Sequence, residues 1–316
     1  MILLAVTSAS NGDRNLYLQD VHNQTSIVVL GEVLWDVFQQ SRRLGGAPLN
    51  FAAHAKRLGH APSLISAVGV DPLGEEAASA IAALCLDTTL LQRTSRFPTG
   101  TARVHLGPGD RTRFVIERPA AYDAVRISDR EIEQIRQRTP AWFYYGTLFS
   151  SRAEGEAVFQ RLLGAMPAAT RLYDLNLRPG CHSCSLVTQL LAVANVVKLN
   201  EEELQAVHEF TGLPIGFEAF CREGSRRFGW KAVCVTLGAR GCAMLACGDY
   251  VEADAQAIDV VDSVGAGDAF TAAFMHGLIR RWPVAKVASF ANRVGAVVAS
   301  RHGAIPDWTI QEAVDL

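Results

Sequence analysis

The sequence predicts an α/β fold built around a mostly parallel, doubly wound sheet. Short continuous apolar runs, such as residues 26–32, recur along the chain, and such runs are typical of strands buried on both faces of a parallel sheet. Between them lie segments whose apolar residues repeat at helical spacing, so strands and helices alternate. The chain has 316 residues and 49% hydrophobic content, which suits one large domain.

The predicted elements begin with a strand at 26–32, followed by a loop toward Asp36. An Ala-rich helix is predicted over 51–59, where Gly59 stops it, then a strand at 62–68 and a helix to about Leu84. From residue 127 the alternation resumes. The predicted segments are helices at 128–138, 152–164, 184–193, 201–210 and 216–228, strands at 141–145, 170–175, 195–198 and 231–236, a hairpin around 242–251, a helix after Asp268 and a last helix near 284–300.

Residues 97–118 differ in character, because two strand-like segments flank a turn at 107–110. We expect this hairpin to lie off the main sheet and to form a small lid with the segment around 37–44. No internal repeat and no linker divides the rest of the chain, so residues 26–316 are expected to form one domain. Residues 1–25 are expected to be an N-terminal extension outside it, either poorly ordered or a misassigned start.

Composition and charge narrow the possible partners. The net charge is −2, and no basic block with interleaved aromatic residues occurs, so nucleic acid is not an expected partner. No apolar run approaches the roughly 20 residues that span a bilayer, and the apolar stretch at 2–6 lacks the flanks of a signal peptide. No membrane partner is therefore expected.

The seven cysteines indicate a reducing compartment. Their number is odd and several stand in apolar runs, as Cys234 does, so we expect reduced, buried thiols in a cytoplasmic protein. Cys181 and Cys184 have redox or metal-ligand spacing, but no second pair stands at a zinc-like distance. A surface loop is the favoured interpretation of residues 181–184.

A glycine-rich turn at 264–267 leads into a segment in which Phe270, Phe274 and Leu278 recur at helical spacing. The first N–H groups of a helix lack intrahelical partners, and glycine lets the backbone approach a ligand closely, so this turn suits an anion. Asp268 adds a carboxylate there, either as a base that takes a proton from a hydroxyl or as a helix cap. The turn alone leaves both interpretations open.

Three more polar groups follow predicted strands, at the edge where open parallel sheets bind ligands. Asp174, Asn176 and Arg178 alternate, and in extended backbone they would face one way. Asn200 and Glu203 predict a helix cap, although the same oxygens suit the hydration shell of Mg²⁺.

The third group, residues 236–241, offers the hydroxyl of Thr236 and glycines to a nucleotide phosphate, or is merely a turn. Together these groups are the components of phosphoryl transfer. No P-loop occurs, and no Gly-x-Gly-x-x-Gly follows the first strand, which disfavours P-loop NTPases, protein-kinase-like enzymes and Rossmann dehydrogenases.

Two segments of the sequence resemble the signatures of a known family. Residues 262–268, DSVGAGD, resemble the C-terminal signature of the ribokinase-like (PfkB) carbohydrate kinases, and residues 45–50, GGAPLN, resemble their N-terminal di-glycine signature. The resemblance is to the fructokinase-like branch and covers roughly residues 27–307. Ser263 departs from it, since Thr is more usual there, but both residues carry a hydroxyl.

The resemblance implies an ATP-dependent sugar kinase with a role for each matching residue. The implied roles are Asp268 as general base; the amides of Gly265, Ala266 and Gly267 as anion hole; Arg178 near the phosphate or sugar; Asp36, Gly45, Gly46 and Asn50 as sugar ligands; Thr236, Gly238, Gly241, Asn292 and Asn200 at ATP; Asn200 and Glu203 at Mg²⁺ through waters; and Asp262, the Val264 carbonyl and the loop around Gly303 at a monovalent cation such as K⁺.

The resemblance also implies a three-layer sandwich, with helices on both faces of a mostly parallel sheet and a small β-lid that often mediates dimerisation. Fructose is the expected substrate. Ribose, nucleosides and 2-keto-3-deoxygluconate remain alternatives, and Arg118 could serve the acidic sugar. A non-catalytic sugar- or nucleotide-binding regulator on the same fold is the alternative of another class.

Other conspicuous side chains have plainer interpretations. His54, His105 and His276 show no ligand spacing, and each is as easily a surface residue of a helix or hairpin. Trp142 and Trp230 are interpreted as core packing.

Overall fold

The computed structural model describes residues 24–39, 41–106 and 112–316. Its strands are β1 (Ser26–Leu30), β2 (Leu34–Val37), β3 (Arg42–Gly45), β4 (Ala61–Gly69), β5 (Leu91–Thr94), β6 (Gly100–Leu106), β7 (Thr112–Glu117), β8 (Trp142–Tyr145), β9 (Thr170–Asp174), β10 (Val196–Asn200), β11 (Ala232–Thr236), β12 (Cys242–Ala246) and β13 (Asp249–Ala253).

Helices connect most of these strands. They are α1 (Ala47–Arg57), α2 (Pro72–Ala83), α3 (Asp129–Arg138), α4 (Thr147–Ser150), α5 (Ala153–Ala165), α6 (Cys184–Val193), α7 (Glu201–Thr211), α8 (Phe217–Phe228), α9 (Ala266–Ile279), α10 (Val284–Ala299) and α11 (Ile310–Asp315), with 3₁₀ turns at Ala121–Ala124 and Gly238–Arg240.

The main sheet has nine strands in the order β13-β12-β11-β10-β9-β8-β1-β4-β5. The pairs from β11 through β5 are parallel, and the β11–β12 and β12–β13 pairs at one end of the sheet are antiparallel. Parallel strands need crossover connections, and the helices between them supply those crossovers. The carboxyl ends of the parallel strands therefore share one edge of the sheet.

Apolar side chains cover both faces of this sheet. Along β1, Ile27 and Val29 pack into a core with Phe274, whereas Val28 and Leu30 face the opposite core with Phe159. Alternate residues of a strand point to opposite faces, so a strand buried on both sides must be apolar throughout. The predicted three-layer sandwich is confirmed.

The lid is a second, four-stranded sheet in the order β3-β2-β6-β7. Its hairpins β2–β3 and β6–β7 are antiparallel, and β2 joins β6 in parallel. The hairpin predicted at 97–118 is thus confirmed, although its turn lies outside the described residues. The first lid segment spans 34–45 rather than 37–44, because the polar residues 39–43 hid the strand pattern on both sides.

Several boundaries differ from the prediction. Helix α1 begins at Ala47 rather than 51, since Pro48 has the fixed φ and missing N–H that suit a first helical turn. Asn50 is therefore helical. Helix α9 likewise starts before Asp268, at Ala266. The segments α4, α11 and β5 were not predicted, because each is too short to show a periodicity.

The surface interpretation of two histidines was wrong. His54 is fully buried and His276 is 3% exposed, because α1 and α9 pack against each other inside the molecule. The side chain of His105 lies outside the described residues. Trp142 and Trp230 are buried, as predicted.

All seven cysteines are free, but only Cys221, Cys234 and Cys242 are buried. The predicted loop at 181–184 is confirmed except for its last residue, which starts α6. Within the described part of the chain, no helix combines the length and apolarity needed to cross a bilayer.

Candidate active site

A cavity of about 300 Å³ lies where the lid faces the carboxyl edge of the main sheet. Crossover topology brings the sequence-predicted groups to this edge. Its lining residues are Glu32, Leu34, Asp36, Gly46, Ala47, Asn50, Ala102, Ile116, Asn176, Arg178, Lys198, Asn200, Thr236, Ser263, Val264, Gly265, Gly267 and Asp268.

The glycine-rich turn forms the start of α9 at one side of this cavity. Gly265 is the N-cap with φ 80°, a conformation that glycine adopts without strain, and Ala266 is the first helical residue. The N–H groups of the first turn lack intrahelical acceptors and carry the positive end of the helix dipole. The turn therefore offers the cavity an anion site.

Asp268 lies in the first turn of the same helix. The side-chain amide of Asn50, on α1, donates to its Oδ2 at 2.8 Å. Burial raises the pKa of Asp268 to about 7, and Asp174 adds to the rise, whereas Asn50, Lys198 and Arg178 oppose it. A carboxyl group with a pKa near neutrality is suited to accept a proton at neutral pH.

A buried ion pair lies behind this helix start. Lys198 Nζ is 3.1 Å from Asp174 Oδ1, and the hydroxyl of Thr271 donates to Asp174 Oδ2 at 2.9 Å. Burial lowers the pKa of Lys198, but the carboxylates of Asp174, Glu203 and Asp268 outweigh that effect and raise it. A β-carbon added at Gly267 would lie 3.5 Å from Lys198 Nζ, so the ammonium group adjoins the anion site.

The sequence reasoning missed Lys198. A signal existed, because Lys198 is the only charged residue in the apolar strand 196–200. A charge inside a buried strand needs a partner, and Asp174 on the neighbouring strand provides it.

The expectation that Asp174, Asn176 and Arg178 face one way was wrong. Asn176 has φ 43°, so the backbone turns there instead of remaining extended. As a result Asp174 is buried beneath the site, while Asn176 and Arg178 line the cavity.

Two buried carboxyl groups form the other side of the cavity. Glu32 and Asp36 are 6% and 7% exposed. Burial raises the pKa of Glu32 to about 7 and that of Asp36 to about 6, and the charge of Arg178 opposes both shifts. Sequence reasoning missed Glu32. Its signal was a carboxyl group that follows the first strand, separated from it only by Gly31.

The di-glycine segment packs on these two acids. A β-carbon at Gly45 would lie 2.8 Å from Asp36 Oδ2, and one at Gly46, where φ is 109°, would lie 2.5 Å from the Glu32 carbonyl oxygen. Glycine is therefore needed at both positions for close approach, and at Gly46 for the positive φ as well. Gly46 lines the cavity, and Gly45 lies just outside it, against Asp36.

Asn200 and Glu203 form the predicted helix cap. Asn200 Oδ1 accepts from the Glu203 amide, and Glu203 Oε2 accepts from the Asn200 amide, both at 2.8 Å. Glu203 Oε1 accepts from the Leu177 amide at 2.8 Å. With these oxygens engaged, the pair fits Mg²⁺ only through water. Elsewhere in the described ranges, no cluster of three or more His, Cys, Asp or Glu residues is arranged to hold a metal ion.

The residues expected at ATP are divided. Thr236 lines the cavity, whereas Gly238, Gly241 and Asn292 lie outside its lining. Asn292 Nδ2 donates at 3.1 Å to the carbonyl oxygens of residues 253 and 254, and a β-carbon at Gly241 would collide with that same segment. These two residues therefore fix the chain beyond β13.

Asp262, at the start of the glycine-rich turn, is held from three sides. Its Oδ1 accepts from the Val264 amide at 3.0 Å, and its Oδ2 accepts from the Gly303 amide at 3.1 Å. Arg43 of the lid forms an ion pair with the same carboxylate. Val264 lines the cavity and Asp262 does not.

Arg118 lies outside the cavity lining, although its charge acts on Glu32. It forms a buried ion pair with Asp123 and donates to the Leu148 carbonyl at 3.2 Å and to the hydroxyl of Ser151. It is absent from the residues that line the cavity.

Comparison with known proteins identifies the family of the chain. The model of the pfkB family carbohydrate kinases matches residues 12–311. Fructokinase of Escherichia coli is 28% identical over 296 residues, which are 88% of this chain and 94% of that protein. The crystal structure of fructokinase with bound ATP from Xylella fastidiosa is similar at a TM-score of 0.78 and 25% identity, over 91% of this chain and 96% of that one.

A further solved structure bears on the fold. The crystal structure of 2-dehydro-3-deoxygluconokinase from Thermotoga maritima has a TM-score of 0.81 at 21% identity, over 93% of this chain and 98% of that one. At this identity the likeness concerns the fold alone.

Proposed function

The chain belongs to the pfkB family of carbohydrate kinases, and we propose that it transfers the terminal phosphoryl group of ATP to a hydroxyl of fructose. One observation carries the proposal: Asp268, with a pKa of about 7, stands at the N-terminus of α9 inside a polar cavity. A base and an anion site in one turn are what phosphoryl transfer to a hydroxyl requires.

In the proposed reaction, Asp268 takes the proton of the attacking hydroxyl as that oxygen bonds to the terminal phosphorus of ATP, while the bond from this phosphorus to the bridging oxygen breaks and ADP leaves. The amides of Gly265, Ala266 and Gly267 bind the oxygens of the transferred group. Arg178 and Lys198 add positive charge on the same side, which stabilises the charge that spreads over those oxygens. Thr236, Gly238, Gly241, Asn200 and Asn292 are proposed to lie along the bound ATP.

The proposed reaction uses Mg²⁺ with the ATP. When bound, Mg²⁺ neutralises phosphate charge. Asn200 and Glu203 would reach it through water, because their own oxygens accept backbone hydrogen bonds. Mg²⁺ commonly retains several waters and few protein ligands, so this donor set fits.

A monovalent cation such as K⁺ is proposed at the Asp262 turn, with the Val264 carbonyl among its ligands. Arg43 already balances the charge of Asp262, so carbonyl oxygens would dominate the site. Comparing turnover in K⁺ with turnover in a bulky organic cation at equal ionic strength tests this part; equal rates would remove K⁺ from the account.

Fructose is preferred to 2-keto-3-deoxygluconate because of the charges in the sugar half. Asp36 and the ionised form of Glu32 accept hydrogen bonds from hydroxyls but repel a carboxylate, and Arg118 is engaged by Asp123. Asp36, Gly45, Gly46 and Asn50 are the proposed sugar ligands. The fructokinase from Escherichia coli, which matches over most of its length, supports the same choice.

The deciding experiment measures ADP release with Mg-ATP over fructose, ribose, nucleosides and 2-keto-3-deoxygluconate. We expect kcat/KM for fructose to exceed that for the others at least tenfold. Faster turnover of the acidic sugar would contradict the charge argument. No turnover of any of them would favour the binding-regulator alternative.

The lid is proposed to close over the sugar and to join two copies of the chain. Closure would exclude water, which competes as phosphoryl acceptor. Val115 on the edge strand β7 is 48% exposed, as an apolar contact between lids would require. Sedimentation should give a dimer that Val115→Asp weakens; a monomeric wild type would contradict this part. We further propose a cytoplasmic location, which the free cysteines support.

A further inference from the structure

A segment of chain after α10, residues 303–308, forms the wall against which the glycine-rich turn rests. A β-carbon at Gly265 would lie 2.5 Å from both the α-carbon and the carbonyl oxygen of Ala304. The N-cap of α9 thus packs directly on Ala304. Any shift of that segment would move the N-cap, and with it the direction of the first amides of the helix.

His54 of α1 holds this segment by its carbonyl. The indole N–H of Trp308 donates to His54 Nδ1 at 3.1 Å, so the ring proton is on Nε2. Nε2 then donates to the Ala304 carbonyl oxygen at 2.9 Å. His54 is fully buried, Trp308 is 4% exposed, and burial lowers the pKa of His54 to about 4, so the ring is neutral at working pH.

The same helix secures the rest of the segment. Arg57 donates to the carbonyl oxygen of Pro306 at 2.8 Å and to that of Trp308 at 3.2 Å. One turn before His54, Asn50 donates to the carboxylate of Asp268 at 2.8 Å. Residues 50, 54 and 57 lie on one face of a helix, so α1 contacts both the base and the wall behind the anion site.

We propose that His54 is a positioning residue that holds segment 303–308 against Gly265 and thereby aims the N-terminal amides of α9 at the transferred phosphoryl group. His54 touches no reactant itself. The predicted effect on turnover rests on the proposed kinase function. The predicted effect on how well ordered the glycine-rich turn is rests on the geometry alone.

The test compares His54→Leu, which keeps the volume and removes both hydrogen bonds, with His54→Gln, whose amide can accept from Trp308 and donate to Ala304. We expect His54→Leu to lower kcat at least about tenfold, because small displacements of anion-hole groups are costly, with the KM for sugar changed less than about threefold. His54→Gln should recover most of the loss.

The matched control is His60→Leu. His60 is also buried, and its replacement removes the 3.0 Å hydrogen bond to His276. The described contacts of His60 do not include segment 303–308. Its kcat should stay near that of the wild type. Equal losses in the His54→Leu and His60→Leu variants, or wild-type kcat in His54→Leu, would overturn the proposal.

Hydrogen exchange of the peptide covering residues 262–270 separates this proposal from the kinase function. The amides of the turn should exchange faster in His54→Leu than in the wild type, and at the wild-type rate in His60→Leu. If the wild type phosphorylates no sugar, the proposed function fails, but hydrogen exchange still tests whether His54 orders the turn. Unchanged exchange in His54→Leu would overturn the positioning role.

Discussion

The two sides of the cavity are built on different principles. The proposed phosphate side consists of backbone amides at one helix start, with the buried pair of Lys198 and Asp174 behind them. The proposed sugar side consists of buried carboxyl groups, Glu32 and Asp36, whose pKa values burial raises. The difference teaches that backbone amides can form an anion site with few side chains. The site proposed for hydroxyls instead uses carboxyl groups whose burial disfavours their charged form.

The largest expected effect concerns the residue that joins the two sides. Replacing Asp268 by Ala should lower kcat at least about 10²-fold, the usual scale for loss of a general base, with ATP affinity much less affected. Steady-state kinetics measures kcat, and calorimetry measures the affinity for ATP. Near-normal turnover would remove Asp268 as the base.

A smaller loss is expected from the charge behind the phosphate side. Lys198→Met should lower kcat about tenfold or more, because positive charge near the transferred group is lost. It also leaves Asp174 buried without its ion-pair partner, so the variant should unfold at a lower temperature.

The double variant Lys198→Met/Asp174→Asn separates these two effects. Removing both charges should restore much of the thermal stability without restoring kcat. Recovery of kcat in the double variant would show that Lys198 acts only through folding.

On the sugar side, the effect should be in binding. Asp36→Asn should raise the KM for the sugar by about tenfold, since a hydrogen bond to a charged group is worth about 1.5–3 kcal/mol, and leave the KM for ATP nearly unchanged. Substrate titrations test this. A rise in the KM for ATP instead would place Asp36 on the phosphate side.

The last effect is on folding stability rather than on turnover, and it has a definite sign. The pKa of Glu32 is about 7 in the folded protein against an ordinary value of 4.5. The stability that Glu32 contributes is therefore present below pH 4.5 and lost as the pH rises through 7. The loss amounts to roughly 3 kcal/mol, since one pKa unit is about 1.4 kcal/mol.

Glu32→Gln should escape that loss. Its free energy of unfolding relative to the wild type should shift in its favour between pH 5 and pH 8, as denaturant titrations can measure. The exposed Glu209→Gln is the control. A difference that is independent of pH would contradict the strained state of Glu32.

The contrast between the two sides also explains what the sequence could predict. The phosphate side is local: Gly265 and Asp268 stand within four residues, so one motif reveals both. The capping pair Asn200 and Glu203 was likewise predictable, because its hydrogen bonds span three residues.

The missed residues act across long distances in sequence. Lys198 acquires its role from Asp174 on another strand, and His54 acquires its role from Ala304, 250 residues away. Their neighbours are fixed only by the folded topology. The conformation of Asn176 was missed for a local reason: asparagine adopts positive φ more often than most residues, but most asparagines do not, so the residue type alone does not reveal the turn.

The pH dependence of kcat/KM for the sugar tests the central claim most directly, because it reports the groups of the free enzyme. Glu32→Gln serves as the background, since it removes the other acid with a pKa near 7. If Asp268 is the base, kcat/KM should fall about tenfold per pH unit below about 7 in both proteins. A flat profile from pH 5 to pH 8 would contradict the account.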